Sequence, residues 1–186
     1  MYKKTLLGFE NFLLKERNNT QIAKNSLFVF ILICILNMIG VILFRNLYGT
    51  DVLIGSDINL VQEYGIFTFV FYTLLGFFFL AFIEEIVFRL PIALFIRRKI
   101  KFEIKLGMIV FLSLIFSVGH MSVEKGIFLP LLLQGTGAML FSFLFIISGA
   151  NKGVYIKGLM IVVFVHFLLN ILNTLPTIID DLTKIL

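Results

Sequence analysis

The chain has 186 residues, 60% of them hydrophobic and only 15% charged, with a mean hydropathy of +1.05. A soluble domain carries about 45–50% apolar and about 25% charged residues, so the composition excludes an ordinary soluble globule and points to a polytopic helical membrane protein. The net charge of +5 raises nucleic acid as a partner, but the basic residues are distributed in a way that points elsewhere.

Residues 1–26 are polar, with Lys3, Lys4, Lys15, Arg17 and Lys24 ahead of the first apolar run. No cleavable signal peptide is expected there, and TLLGFENFLL at 5–14 reads as a short interfacial helix. Five segments long enough to cross about 30 Å of hydrocarbon follow, at roughly 27–45, 70–96, 105–120, 127–148 and 154–175. The first holds Cys34, the one cysteine, which reads as a small buried apolar residue and permits no disulfide within the chain. A polar loop at 46–63 carries Asp51, Asp57 and Glu63, with turns at Gly49 and Gly55. The second segment contains Glu84, Glu85 and Arg89, followed by Pro91, which is expected to kink it or end its membrane portion. The third ends at His120. The fourth has no ionisable group, and its small residues Gly135, Gly137 and Ala138 suggest a packing face with a structural task. The fifth contains His166 and Asn170, and residues 176–186 form a tail. The expected fold is all-α: one transmembrane bundle over 27–175, with no internal repeat or second domain.

Lys and Arg alternate between loops. Besides the five at the N-terminus, Arg97, Arg98, Lys99, Lys101 and Lys105 precede the third segment, and Lys152 and Lys157 precede the fifth. The opposite side has Arg45, Lys125 and Lys184, and Arg89 remains inside the membrane. The positive-inside rule then puts the N-terminus in the cytoplasm and the C-terminus outside. The positive charge is a topology signal, and no nucleic-acid partner is expected.

A charge at the centre of a spanning helix costs about 2.5–3.5 kcal/mol on insertion scales. Three within six residues need partners, water or a purpose. Glu85 and Arg89 are spaced i,i+4, as are Phe116 and His120, and His166 and Asn170, so each pair shares a helix face. Glu84 is rotated about 100° from Glu85. The simplest division has Glu85 paired with Arg89 while Glu84 faces a cavity. At about 1.5 Å per residue, Glu84 lies roughly 20 Å from the boundary marked by Arg97. By the same count His120 lies roughly 22 Å in and His166 about 14–21 Å. The three can meet in one layer.

Other intramembrane hydrolase chemistries lack their residues. There is no HExxH, Ser113 and Ser117 have no nucleophile elbow, and every aspartate lies in a loop or tail. A carboxylate with imidazoles remains. On the residues alone, a structural ion network, a non-catalytic peptide-binding membrane protein and a proton-relay transporter stay open beside an enzyme. Two histidines and a glutamate also make a zinc set with an open fourth position.

In order along the chain, Glu84-Glu85-x-x-x-Arg89, Phe116-x-x-x-His120 and His166-x-x-x-Asn170 resemble the three motifs of the CAAX protease and bacteriocin-processing (CPBP, or Abi) family of intramembrane glutamic endopeptidases. The resemblance covers about residues 70–175. One departure is Leu90, where many bacterial members have Gly, and a bulkier side chain there is expected to narrow the cavity or alter helix packing. The resemblance implies that Glu84 and His120 activate a water, that His166 and Asn170 stabilise the oxyanion, and that Glu85 and Arg89, with Phe116, hold the site in shape. It implies no metal and no cofactor. The implied partners are the lipid bilayer and a membrane-associated peptide or protein, such as a bacteriocin or pheromone precursor or a lipidated tail. The implied location is a bacterial cell membrane.

Overall fold

The computed structural model of the protein describes residues 2–48, 66–120 and 131–185, and among them every regular element is helical. Helix α1 is Tyr2–Leu14, α2 is Asn19–Tyr48, α3 is Ile66–Ile96 and α4 is Phe102–Gly119. A π-helical turn at Leu131–Gly135 runs directly into α5, Thr136–Ile147, and a 3-10 turn at Ala150–Lys152 leads to α6, Tyr155–Ile185. Most of the polar loop at 46–63 lies outside the described residues, as do Lys125 and residues 127–130 of the fourth expected segment.

Among the described residues, three helices are by length and composition able to cross a membrane: Asn19–Gly40, Phe102–Gly119 and Tyr155–Leu175. Large apolar side chains point away from the protein along α2 and α3, among them Phe28, Met38, Phe71, Ile83, Leu90 and Leu94. Water would not tolerate such a continuous apolar face, whereas lipid covers it. An all-helical membrane protein follows.

Two helices extend beyond their expected bounds. The Asn18 side-chain oxygen accepts from the Gln21 backbone N–H at 2.8 Å, and the Gln21 side chain accepts from the Asn18 N–H at 3.1 Å. This reciprocal capping box starts α2 at Asn19, eight residues before the apolar run. At the other end, α6 continues as helix through the expected tail at 176–186 as far as Ile185. Pro91 does not end α3 either. It removes the usual donor to the Val87 carbonyl, yet the helix continues to Ile96.

A few contacts fix the arrangement. Lys157 donates to the Asn19 side chain at 2.7 Å, and Asn37 donates to Asn173 at 3.4 Å. Helices α2 and α6 therefore run parallel. Glu85 meets His166, while the Arg97 guanidinium lies beside Gly153, so α3 runs antiparallel to α6. Lys152 pairs with Glu16 at 3.0 Å, and Asn151 donates to the Leu13 and Leu14 carbonyls. The α1–α2 turn, the end of α3 and the turn before α6 are thus gathered at one end of the bundle. Helix α1 is more than an interfacial strip. Its Leu13 is fully buried, and the Phe9 ring packs edge-on against Phe102 and Phe143. The central core is aliphatic and aromatic, built around Ile92, Ile96, Ile109, Leu144, Phe145 and Val162.

Candidate active site

Glu85 and Arg89 lie one turn apart on α3, and both are almost wholly buried. The Arg89 Nε donates to Glu85 Oε2 at 2.6 Å, and its Nη2 reaches Oε1 at 3.4 Å. The remaining arm, Nη1, donates to Ser142 Oγ of α5 at 2.9 Å, and Ser142 in turn donates to the Ala138 carbonyl. The guanidinium also sits 6.0 Å from the Phe141 ring centroid. Burial of two charges is thus offset by mutual pairing and by neutral partners.

Helix α6 brings His166 to this pair. Its Nδ1 lies 2.9 Å from Glu85 Oε1, and its Nε2 lies 3.6 Å from Glu84 Oε2. His120 comes from the end of α4. The helix stops at Gly119, and the His120 backbone N–H turns to the Ser117 carbonyl. The imidazole then serves the Phe116 carbonyl through Nδ1 at 2.8 Å, with the two rings 4.4 Å apart. The His120 Nε2 faces Glu84 Oε1 at 3.8 Å.

These contacts assign the tautomers. A carbonyl only accepts, and so does an ionised carboxylate; Nδ1 therefore carries a proton in both rings. Each Nε2 is left either bare or, in an imidazolium, as a second donor. Both are directed at the two oxygens of one carboxylate, beyond direct hydrogen-bond length. A water that bonds a carboxylate oxygen and an imidazole together would sit beside these gaps rather than inside them. Glu84 keeps 20% of its side-chain surface exposed and His120 36%, against 10% for His166. The open side of the cluster is therefore at Glu84 and His120.

Beside the histidines lies a cavity of about 150 Å³. His120, His166 and Asn170 wall it, together with Asn37, Gln134, Asn173 and apolar side chains that include Phe116 and Phe141. Glu84 is not part of this wall. Nor does Leu90 reach it. That side chain is 57% exposed and borders a separate outer groove with Tyr155, Ile156 and Leu159; the bulk in place of Gly is carried on the outside of the bundle. Gly137 also departs from expectation. A Cβ there would meet nothing within 4 Å, and Gly137 lines the cavity, whereas a Cβ on Gly135 would come 2.5 Å from Ser117 Oγ. Of the two glycines, Gly135 makes the close approach.

Sequence reasoning passed over Asn37, Gln134, Ser142 and Asn173. The signal available for Asn173 was its spacing, since it stands seven residues after His166 and so shares its face. Among the described residues, no group of three or more His, Cys, Asp or Glu side chains is arranged to hold a metal ion. No protein-family model, curated protein or solved structure matches the chain.

Proposed function

We propose that the chain is an intramembrane endopeptidase that hydrolyses a peptide bond of a membrane-associated peptide or protein by a glutamate-activated water. The carrying observation is that His120 and His166, from two different helices, aim Nε2 at opposite oxygens of Glu84, at 3.8 and 3.6 Å. In this reading Glu84 and His120 share a water on the open side of their approach. Glu84 takes its proton as the water oxygen bonds to the scissile carbonyl carbon, and the carbonyl π pair moves onto oxygen. The Asn170 amide and the His166 imidazolium donate to that oxygen. Collapse breaks the C–N bond, and the departing amine takes the proton from Glu84.

The same reading takes α2, α3, α4, the π-turn with α5, and α6 as five crossings, with the N-terminus cytoplasmic and the C-terminus outside, in a bacterial cell membrane. The parallel α2–α6 pair, the antiparallel α3–α6 pair and the gathering of basic turns at one end support this topology. The similarity of Glu84, Glu85, Arg89, Phe116, His120, His166 and Asn170 to the CPBP motifs supports the chemistry.

Mass spectrometry of candidate precursor peptides, incubated with the wild type and with Glu84→Gln protein, tests the reading. Cleavage by the wild type alone is expected; equal cleavage by both rejects Glu84 as the base.

A second reading has one observation in its favour. Nδ1–H donors engaged by a carbonyl and a carboxylate are the usual outer contacts of metal-binding histidines, and the freed Nε2 pair and Glu84 are zinc-type donors that would have to close onto one ion, since they are not arranged to hold one as they stand. Phenanthroline separates the two readings. Under the metal-free mechanism activity survives prolonged chelation, whereas loss restored by added zinc would replace it.

A further inference from the structure

The Gln134 side-chain oxygen is buried and has no hydrogen-bond partner among the described residues, although the residue lines the cavity beside the two histidines. A buried acceptor left empty is unfavourable, and proteins rarely retain one without a use. Its backbone setting is equally unusual. Gln134 belongs to the π-helical turn Leu131–Gly135, and such turns concentrate at functional sites. The turn is fastened on either side of it. Leu133 presses on Gly40 of α2, leaving no room for a side chain there, and Gly135 closes against Ser117 of α4. The residue between these two anchors is thereby directed to the cavity. Three further amides line the same space, Asn37 of α2 and Asn170 and Asn173 of α6, and Asn37 and Asn173 are joined to each other at 3.4 Å.

We infer that this cavity is the binding subsite for the backbone of an unwound, extended peptide segment, with the Gln134 amide as its hydrogen-bonding station. The inference rests on the peptide-hydrolase reading and adds how the substrate is held. A helical substrate has its amides already paired and offers nothing to Gln134. An extended segment in an apolar surround has free N–H and C=O groups that must find partners. A side-chain amide matches both, because a half-turn of its terminal bond exchanges acceptor and donor. The remaining walls, Ile33, Leu133, Gly137, Ala138 and Leu169, suit a small apolar side chain next to the held peptide group.

The test uses fluorescein-labelled decapeptides of alternating leucine and alanine. In a parallel set, an ester oxygen replaces one backbone N–H at each position in turn. Binding is measured by anisotropy to full-length Glu84→Gln protein in detergent, with and without Gln134→Met, a substitution of similar size. One ester position should weaken binding about tenfold when Gln134 is present and not at all with Gln134→Met, as the loss of a single hydrogen bond implies. The melting temperature of Gln134→Met should equal or exceed that of its parent, since an unpaired buried acceptor is removed. Several outcomes overturn the inference: a flat ester scan, the same scan with and without Gln134, no binding by any peptide, or a lowered melting temperature with unchanged binding. Failure of the hydrolase reading has a different signature. The ester effect would persist at Gln134 while wild-type protein left every bound peptide uncleaved.

Discussion

At the scale of single residues, the two adjacent glutamates have opposite environments, and this predicts opposite consequences of mutation. Glu85 is sealed in, held by Arg89 and His166, while Glu84 retains an exposed edge and only long contacts. Arg89→Ala strands the Glu85 carboxylate and also frees Ser142 Oγ, so it should cost about 3–5 kcal/mol of stability. Glu84→Gln, nearly the same size and without a short bond to lose, should change the melting temperature little while abolishing turnover. Thermal unfolding in detergent beside a cleavage assay checks both, and a larger melting loss for Glu84→Gln would exchange the assigned roles. The i,i+4 spacing made the Glu85–Arg89 pair legible from the sequence. Asn37 and Gln134 were not legible, because a lone amide in an apolar run reads as helix-packing glue, and only the converging walls of a cavity distinguish it. The contact of His166 with Glu85 was equally hidden, since it depends on how α6 is rotated against α3.

At the scale of elements, glycines separate packing from function. A Cβ on Gly158 of α6 would lie 2.8 Å from the Phe145 carbonyl oxygen and 3.1 Å from its ring. Backbone cannot move aside as a flexible side chain can, so Gly158→Ala should destabilise the α5–α6 contact by about 1–3 kcal/mol. Gly137 is one turn of α5 from Phe141 and has open space before it. Gly137→Ala should therefore leave stability unchanged or raise it by about 0.5–1 kcal/mol through helix propensity, yet lower turnover by filling the cavity. Paired melting and cleavage measurements on the two variants decide this, and a stability loss at Gly137 would mean that the cavity wall is a packing face. Hydropathy located the apolar stretches but not the helix ends. The Asn18–Gln21 capping box sits in polar sequence, where apolar periodicity is silent, and the signal for it is residue chemistry at a fixed offset. Beyond 175 the composition turns polar while the helix simply continues.

At the scale of the whole molecule, charge and packing bear on the same end of the bundle. Basic residues that are far apart in sequence, Lys15, Arg17, Arg97, Lys152 and Lys157, belong to segments that the structure joins through Lys152–Glu16, Asn151–Leu14, Lys157–Asn19 and the approach of Arg97 to Gly153. Nothing in a hydropathy profile requires those segments to touch. The alternation of charge suggested a common side, and the hydrogen bonds supply a physical reason why the segments start from it. If this end faces the cytoplasm, the five proposed crossings would carry the end of α6 to the outside, and a membrane-impermeant thiol reagent can read the result. In a Cys34→Ala background, intact cells should label Asp181→Cys and spare Lys101→Cys until the membrane is broken. The reverse pattern would invert the bundle, and with it the leaflet from which a substrate reaches the exposed edge of Glu84. Labelling at both positions without lysis would place the two ends on one side. That would require an even number of crossings between residues 101 and 181, which the run of α4, α5 and α6 does not allow if each spans the bilayer once.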